Sequence, residues 1–212
     1  MNGNPGLRRR TLLAAAAGVA VAPFAAAPAF AAAPKVYIDP GHGGTDPGAV
    51  ANGLQEKTLT LNIALQTRDI LKANWNVDVR MSRTTDVTRS LTYRTDDANA
   101  WGAAIFVSIH INAGGGTGFE SYRYPGVGAT TVRLQNLVHT NVLSQMRTVA
   151  SVTDRGQKSA NLHVLRESNM PAVLTENLFI DTLANANLLK RADFLTATAR
   201  GHARGIAAFF GL

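Results

Sequence analysis

The sequence predicts an α/β fold with a largely parallel sheet in a single domain, and three observations carry that reading. Short apolar runs of strand length alternate with longer stretches of helical period, the pattern left by strands joined through crossover helices. One run, residues 104–111, is apolar except for Ser108 and His110, as expected of a central strand covered on both faces. Beyond residue 34 the 212-residue chain shows no internal repeat, linker or composition shift, and about 180 residues suit one ordinary core.

Residues 1–31 stand apart from this pattern. Arg8, Arg9 and Arg10 precede an Ala-rich apolar stretch over residues 11–21, then Pro23, Pro28 and the small-x-small triplet Ala29-Phe30-Ala31. A charged start, a short apolar centre and such an ending describe an export signal. The apolar centre is shorter than the roughly 20 residues of a membrane-spanning helix. Paired arginines followed by Thr11-Leu12-Leu13 resemble a twin-arginine signal. A buried Ala-rich helix is the competing reading, but two prolines would break it.

In the remaining chain, residues 35–39 read as a first strand, ended by Pro40-Gly41. Residues 55–73 read as a helix with Leu59, Ile63 and Ile70 on one face, and residues 77–81 as a strand. Residues 90–101 keep helical spacing through Leu91, Ala98 and Trp101. The central strand 104–111 follows, then a strand over 118–124 placed at a sheet edge. The longest helix is expected over 129–149, where Leu134, Leu137, Val138, Val142, Met146 and Val149 form a stripe. Two short strands, 162–165 and 172–176, precede a final helix over 192–210, with Gly211 at its expected C-terminal glycine position.

Composition removes several functions. With no cysteine there is no disulfide scaffold, thiolate zinc finger or thiol nucleophile, so any metal must be held by carboxylates and the five histidines. Beyond residue 31 the chain carries 18 basic against 14 acidic residues, scattered rather than striped. That argues against nucleic acid and allows a mild attraction to anionic envelope polymers. The glycines around His42 and at 114–116 lack a Gly-Lys-Ser/Thr ending and dinucleotide spacing; a mobile loop admitting substrate is the expected use. Ser108 and Ser168 have no nucleophile-elbow context.

Four polar residues remain as candidates. His42 follows the first strand within a glycine turn, Glu56 opens the first helix, His110 ends the central strand, and Glu176 ends a later one. Sites in open α/β sheets form outside the carboxyl ends of strands, where three of these four fall. Two His and one Glu with an open fourth position make a known catalytic zinc set, and a free carboxylate beside it would shuttle the proton of an attacking water. Each also has a plain alternative: a turn histidine, a helix N-terminal acid favoured by the dipole, or a buried imidazole with an ordinary partner. His139, His163 and His202 have no acid at ligand spacing and are set aside. Spacing alone suggests a zinc hydrolase and names none.

The text around these residues is more specific. The block from Val36 to Ala49, with Asp39-Pro40-Gly41-His42-Gly43-Gly44, resembles the opening of the zinc-dependent N-acetylmuramoyl-L-alanine amidases of the type-3 family. Glu56-Lys57, Ser82-Arg83-Thr84 with Asp86, Leu91 and Arg94, Ser108-Ile109-His110-Ile111-Asn112, and Val164-Leu165-Arg166 with Met170-Pro171-Ala172-Val173-Leu174-Thr175-Glu176 follow in the family's order. The resemblance spans residues 35–210. It implies a mixed, mostly parallel sheet of about six strands, zinc held by His42, Glu56 and His110, and Glu176 as catalytic residue. The implied reaction is hydrolysis of the amide between the lactyl group of N-acetylmuramic acid and L-alanine. The implied partner is peptidoglycan or its muropeptides, met in the periplasm or outer cell wall by an exported monomer without a membrane span or nucleic acid. Asn177 beside the acid and Ile111 depart from the family text; the first is expected to alter hydrogen bonding near Glu176, the second only packing. Residues 125–161 have room for one helix and short loops, so an open groove needing no activator is expected. The alternatives are a non-catalytic wall-binding protein and a zinc hydrolase of another envelope bond. Imidazole and carboxylate would also hold cobalt or nickel.

Overall fold

Why the sequence folds as it does is clearest at its central strand. The computed structural model describes residues 1–3 and 32–212; apart from its first three residues, the export signal expected over 1–31 lies outside the described residues. The elements are β1 (Lys35–Pro40), β2 (Val50–Ala51), β3 (Leu54–Gln55), α1 (Glu56–Asn74), β4 (Asp78–Met81), α2 (Leu91–Trp101), β5 (Ile105–Asn112), β6 (Phe119–Arg123), α3 (Ala129–Met146), β7 (Asp154–Ser159), α4 (His163–Arg166), β8 (Ala172–Phe179), α5 (Leu183–Leu189) and α6 (Ala192–Phe210). Six strands form one sheet in the order β4-β1-β5-β8-β6-β7. The first four are mutually parallel, whereas β6 runs antiparallel to β8 and parallel to β7. The mixed, mostly parallel six-stranded α/β sheet is thus as expected.

Alternation along β5 divides the core. Ile105, Val107, Ile109 and Ile111 point to one face, where they pack with α1, α3 and α6 in a single large cluster. Gly201 and Gly205 let α6 approach α3 closely, since a Cβ at Gly201 would lie 2.5 Å from the Val142 Cα. Phe106 points to the other face and joins Tyr37, Leu174, Ala98 of α2 and Val164 and Leu165 of α4 in a smaller cluster. Ser108 and His110 continue that second face toward the carboxyl end of the strand. Because α2 and α4 are short, this face is only partly covered. Ile111 is 2% exposed within the larger cluster, a packing residue as expected.

Several elements differ from expectation. Residues 162–165 form no strand: the Leu162 carbonyl accepts from the amides of Leu165 and Arg166, closing the turn of α4. A four-residue apolar run cannot separate a strand from a buried helical turn. The missing strand is β7, Asp-Arg-Gly-Gln-Lys-Ser, which pairs on one side only and whose polar text suits an edge. Consequently β6, expected at an edge, lies between β8 and β7. A small β2–β3 hairpin turns on Asn52 and Gly53, both with positive φ as a tight hairpin turn requires, and α5 follows β8 unannounced. α2 is closed by Ser90, whose hydroxyl accepts from the Tyr93 amide, and by left-handed Gly102. Left-handed Gly211 closes α6 as predicted.

Candidate metal centre and catalytic carboxylate

The strand order places the candidate residues side by side. β1, β5 and β8 end at the same edge of the sheet, so His42 just past β1, His110 on β5 and Glu176 on β8 meet there. His110 and Glu176 are register partners on adjacent parallel strands, about 4.8 Å apart in backbone spacing. Glu56, the first residue of α1, reaches them from the helix terminus: its Oε2 lies 3.2 Å from His42 Nε2 and its Oε1 3.1 Å from His110 Nδ1. Ligand atoms of His42, Glu56 and His110 all lie within 4.8 Å of one another. His139, His163 and His202 do not join them, as expected: His139 bonds Ser121 and Asp154, and His202 bonds Thr175 and the Thr198 carbonyl.

The surroundings are shaped to leave room at this point. A Cβ on Gly41 would sit 2.3 Å from the His110 ring, and one on Gly48 2.6 Å from Glu56 Oε2 and 2.7 Å from the His42 ring. Both glycines therefore belong to the cradle. His42 itself holds φ 61°, a left-handed conformation strained for a side chain of its size. Asp46 Oδ2 accepts from His42 Nδ1 at 2.8 Å, which fixes the ring and turns Nε2 toward Glu56 and the point where the ligand atoms converge. Two imidazoles and a carboxylate converging on one point, each with a set orientation, are a donor set that fits a divalent metal ion.

Two buried arginines hold the loop that carries His42. Arg94 donates to Asp39 Oδ1 at 2.6 Å and to the carbonyls of Pro40 and His42 at 2.8 Å. Arg83 donates to the carbonyls of Pro40, Gly41 and Lys57. Asp39 also accepts from Ser82 and Ser108. Lys57 and Asp86 tie down Gly44 from outside. These roles were invisible in the sequence, although Arg83, Asp86 and Arg94 stand in its family-like blocks; a side chain donating to a distant carbonyl leaves no periodic signal.

The charges are strongly coupled. Burial opposes ionisation of Glu56, yet hydrogen bonds from His110 and His42 outweigh it and hold the carboxyl far below its usual range. Burial alone would lower the His42 imidazole, but Glu56 and Asp46 raise it to about 8. Glu176 behaves oppositely: burial, reinforced by the carboxylates of Glu56 and Glu120, pushes it up to about 7. Its Oε2 is shielded from solvent and has no hydrogen-bond partner among the described residues. A partly buried carboxyl with a free oxygen and such a pKa is poised to take and return a proton near neutral pH.

Around this point runs a cavity of about 410 Å³ whose lining includes His42, His110, Arg89, Leu91, Leu162 and His163. His163, set aside as a ligand, thus lines the approach to the site. Asn177 is fully buried and donates to the His110 carbonyl at 2.9 Å, tying β8 to β5 beside Glu176. The loop at 114–116, expected to be mobile, is held by the amides of Gly114 and Gly115 donating to Asp181.

Comparison with known proteins shows the family and the fold. The sequence profile of the family described as Amidase_3, N-acetylmuramoyl-L-alanine amidase, matches residues 36–208. The sporulation-specific N-acetylmuramoyl-L-alanine amidase of Bacillus subtilis (strain 168) is 56% identical over 179 residues, covering 84% of this chain and 69% of the relative. The endolysin of Bacillus phage SPP1 is 46% identical over 180 residues, 84% of this chain and 66% of its own length. Among solved structures, an N-acetylmuramoyl-L-alanine amidase from Clostridium difficile 630 superposes with a TM-score of 0.80 at 33% identity, covering 85% of this chain and 98% of its own. The catalytic domain of CwlV from Bacillus (Paenibacillus) polymyxa var. colistinus gives 0.78 at 34% identity, covering 84% and 98%. By sequence and fold together, this chain belongs to the metal-dependent type-3 family of N-acetylmuramoyl-L-alanine amidases.

Proposed function

We propose that the chain hydrolyses the amide between the lactyl group of N-acetylmuramic acid and L-alanine in peptidoglycan or its fragments, with zinc held by His42, Glu56 and His110 and with Glu176 as the catalytic acid–base. The observation that carries the reading is the convergence of those three ligand side chains beside a carboxyl with one free, shielded oxygen. When bound, the metal supplies a Lewis acid that acidifies water and polarises a carbonyl. Asp46 keeps His42 in the ligating orientation, and Asn177 and the two arginines keep the strand ends in place. Glu176 then accepts the proton of the attacking water and delivers it to the alanine nitrogen as the C–N bond breaks, leaving a lactyl carboxylate and a free amine. Every group in this scheme comes from one chain, which supports action as a monomer. Arg8 to Arg10, the apolar stretch and Ala29-Phe30-Ala31 support export to the periplasm or outer wall, by a twin-arginine route. No helix among the described residues is long and apolar enough to cross a membrane.

The side chains of His42 and His110 are 25% and 18% exposed at the cavity wall, which supports a groove open without a partner protein. Purified chain incubated with zinc and muropeptides should therefore release a lactyl-terminated saccharide and a peptide beginning with free L-alanine, read by mass spectrometry, with nothing else added. Shortened peptides, released acetate, or silence until a second protein is supplied would contradict it.

Metal loading should also be coupled to protons. In the metal-free chain the His42 pKa of about 8 leaves that imidazole largely protonated at pH 7, and ligation needs it neutral. Zinc binding therefore releases protons, and affinity rises with pH until His42 is already neutral above about 8. Calorimetry in buffers of different ionisation enthalpy should count more protons released at pH 7 than at pH 9; equal counts would contradict the assignment of His42.

A further inference from the structure

The row of polar groups at the site edge does not stop at Glu176. Glu120 on β6 is the antiparallel register partner of Glu176, so the two side chains stand on the same face of the sheet. Glu120 is 2% exposed and wholly satisfied: Oε1 accepts from Asn112 and the Tyr122 hydroxyl, and Oε2 from Arg155 Nε at 2.6 Å and Lys158 Nζ at 2.5 Å. Two cations thus share one carboxylate oxygen, leaving the cluster with excess positive charge. Arg155 uses only Nε for Glu120, and its guanidinium lies 4.8 Å from the Phe179 ring centre. Its two terminal nitrogens make no hydrogen bond to any described residue. The side chain is 33% exposed. A guanidinium anchored through Nε and an aromatic face, with its fork free, is a preorganised receptor for a carboxylate.

Building on the proposed amidase reaction, we infer that Arg155, assisted by Lys158, is a specificity-determining residue that binds the free carboxylate carried by the stem-peptide residue following L-alanine. The span fits. Strands lie about 4.8 Å apart, so β7 is about 10 Å from Glu176 on β8, and Arg155 leans back toward Glu120 on the strand between. A peptide advances about 3.5 Å per residue, which puts a carboxylate on the second stem residue about 7 Å from the scissile nitrogen. A carboxylate at the far end of a four- or five-residue stem would lie about twice as far out.

The test uses the purified chain and two muramoyl tripeptides that differ only at the second stem residue, a γ-linked D-glutamate with its α-carboxyl either free or amidated. The chain should favour the free acid in kcat/KM by about tenfold, the scale of one partly exposed charge-assisted contact. In Arg155→Met that ratio should fall toward one, and Arg155→Lys should recover part of it. A ratio near one in the unsubstituted chain, or a ratio kept by Arg155→Met, would overturn the inference; equal losses on both substrates would mark Arg155 as merely structural and overturn it too. Calorimetric binding of both tripeptides to Glu176→Gln, with and without Arg155→Met, separates this from the amidase reading. A binding preference that Arg155→Met removes supports the carboxylate site even where no cleavage is seen, and no preference overturns it.

Discussion

Glu176→Gln is expected to lower turnover on muropeptides by about 10²–10⁴-fold, the contribution typical of a positioned general acid–base, while bound zinc stays at the level of the unsubstituted chain. Glutamine keeps the side chain's size but cannot hold a proton and pass it on. Its Oε2 has no hydrogen-bond partner among the described residues to lose. The substitution also removes a carboxyl whose charge is opposed by burial, Glu56 and Glu120. Thermal stability should therefore hold or rise. This is the separation that distinguishes a proton carrier from a ligand: rate falls, metal and melting temperature do not. Steady-state kinetics with metal analysis and calorimetry on the same preparation read all three. More than a tenth of the turnover surviving would remove Glu176 from the reaction.

Arg94→Met should destabilise the fold by about 3–5 kcal/mol, the usual cost of leaving one partner of a buried ion pair alone. The pair is tight and dry: Arg94 and Asp39 meet at 2.6 Å with their side chains 4% and 1% exposed. For a chain of this size the loss corresponds to a melting temperature lower by about 6–20 °C. The effect should depend on pH in a defined direction. Burial opposes ionisation of Asp39, but Arg94 and Ser82 outweigh it and hold its carboxyl below the ordinary range. Its stabilising contribution is therefore complete above the unfolded carboxyl's pKa of about 4 and is lost as pH falls through the lower folded value. The gap between the two proteins should be full at pH 7 and narrow in acid. Because Arg94 also holds the carbonyls of Pro40 and His42, zinc affinity should fall with stability. A change under 2 °C at neutral pH would show the pair to be dispensable.

The residues proposed to do chemistry were legible because each stands beside an apolar run or a glycine turn, where a polar residue has no packing reason to be. His110 within an otherwise apolar strand and Glu176 after the apolar residues 172–174 are the clearest cases, although β8, expected to end at Glu176, continues to Phe179. The central strand and the long helices α1, α3 and α6 were legible from period and length. What remained hidden was of two kinds. β7 and α4 are short elements whose state is set by neighbours: β7 is held by β6 despite its polar text, and Leu162 turns into a helix because its carbonyl accepts from Leu165 and Arg166 rather than from a strand. The supporting network was hidden for a different reason. Arg83, Arg94 and Glu120 act through single long side chains on groups brought near only by folding, and such contacts have no spacing to read, whereas Asp46 pairs with His42 only four residues away. Asn177 is intermediate: its position beside Glu176 flagged it, but its tie to the His110 carbonyl required the β5–β8 register.

The measurement that tests the central assignment most directly is bound zinc per chain in His42→Ala, Glu56→Gln, His110→Ala and Glu176→Gln, each alongside the unsubstituted protein and after equilibration at one free zinc concentration. The geometry of the cluster predicts about one zinc in the unsubstituted chain and in Glu176→Gln, and a loss of at least tenfold in affinity in each of the other three, the scale set even by losing an outer-shell partner. Full zinc in any one of those three, or loss of zinc in Glu176→Gln, would contradict the division of the site into three ligands and one proton carrier.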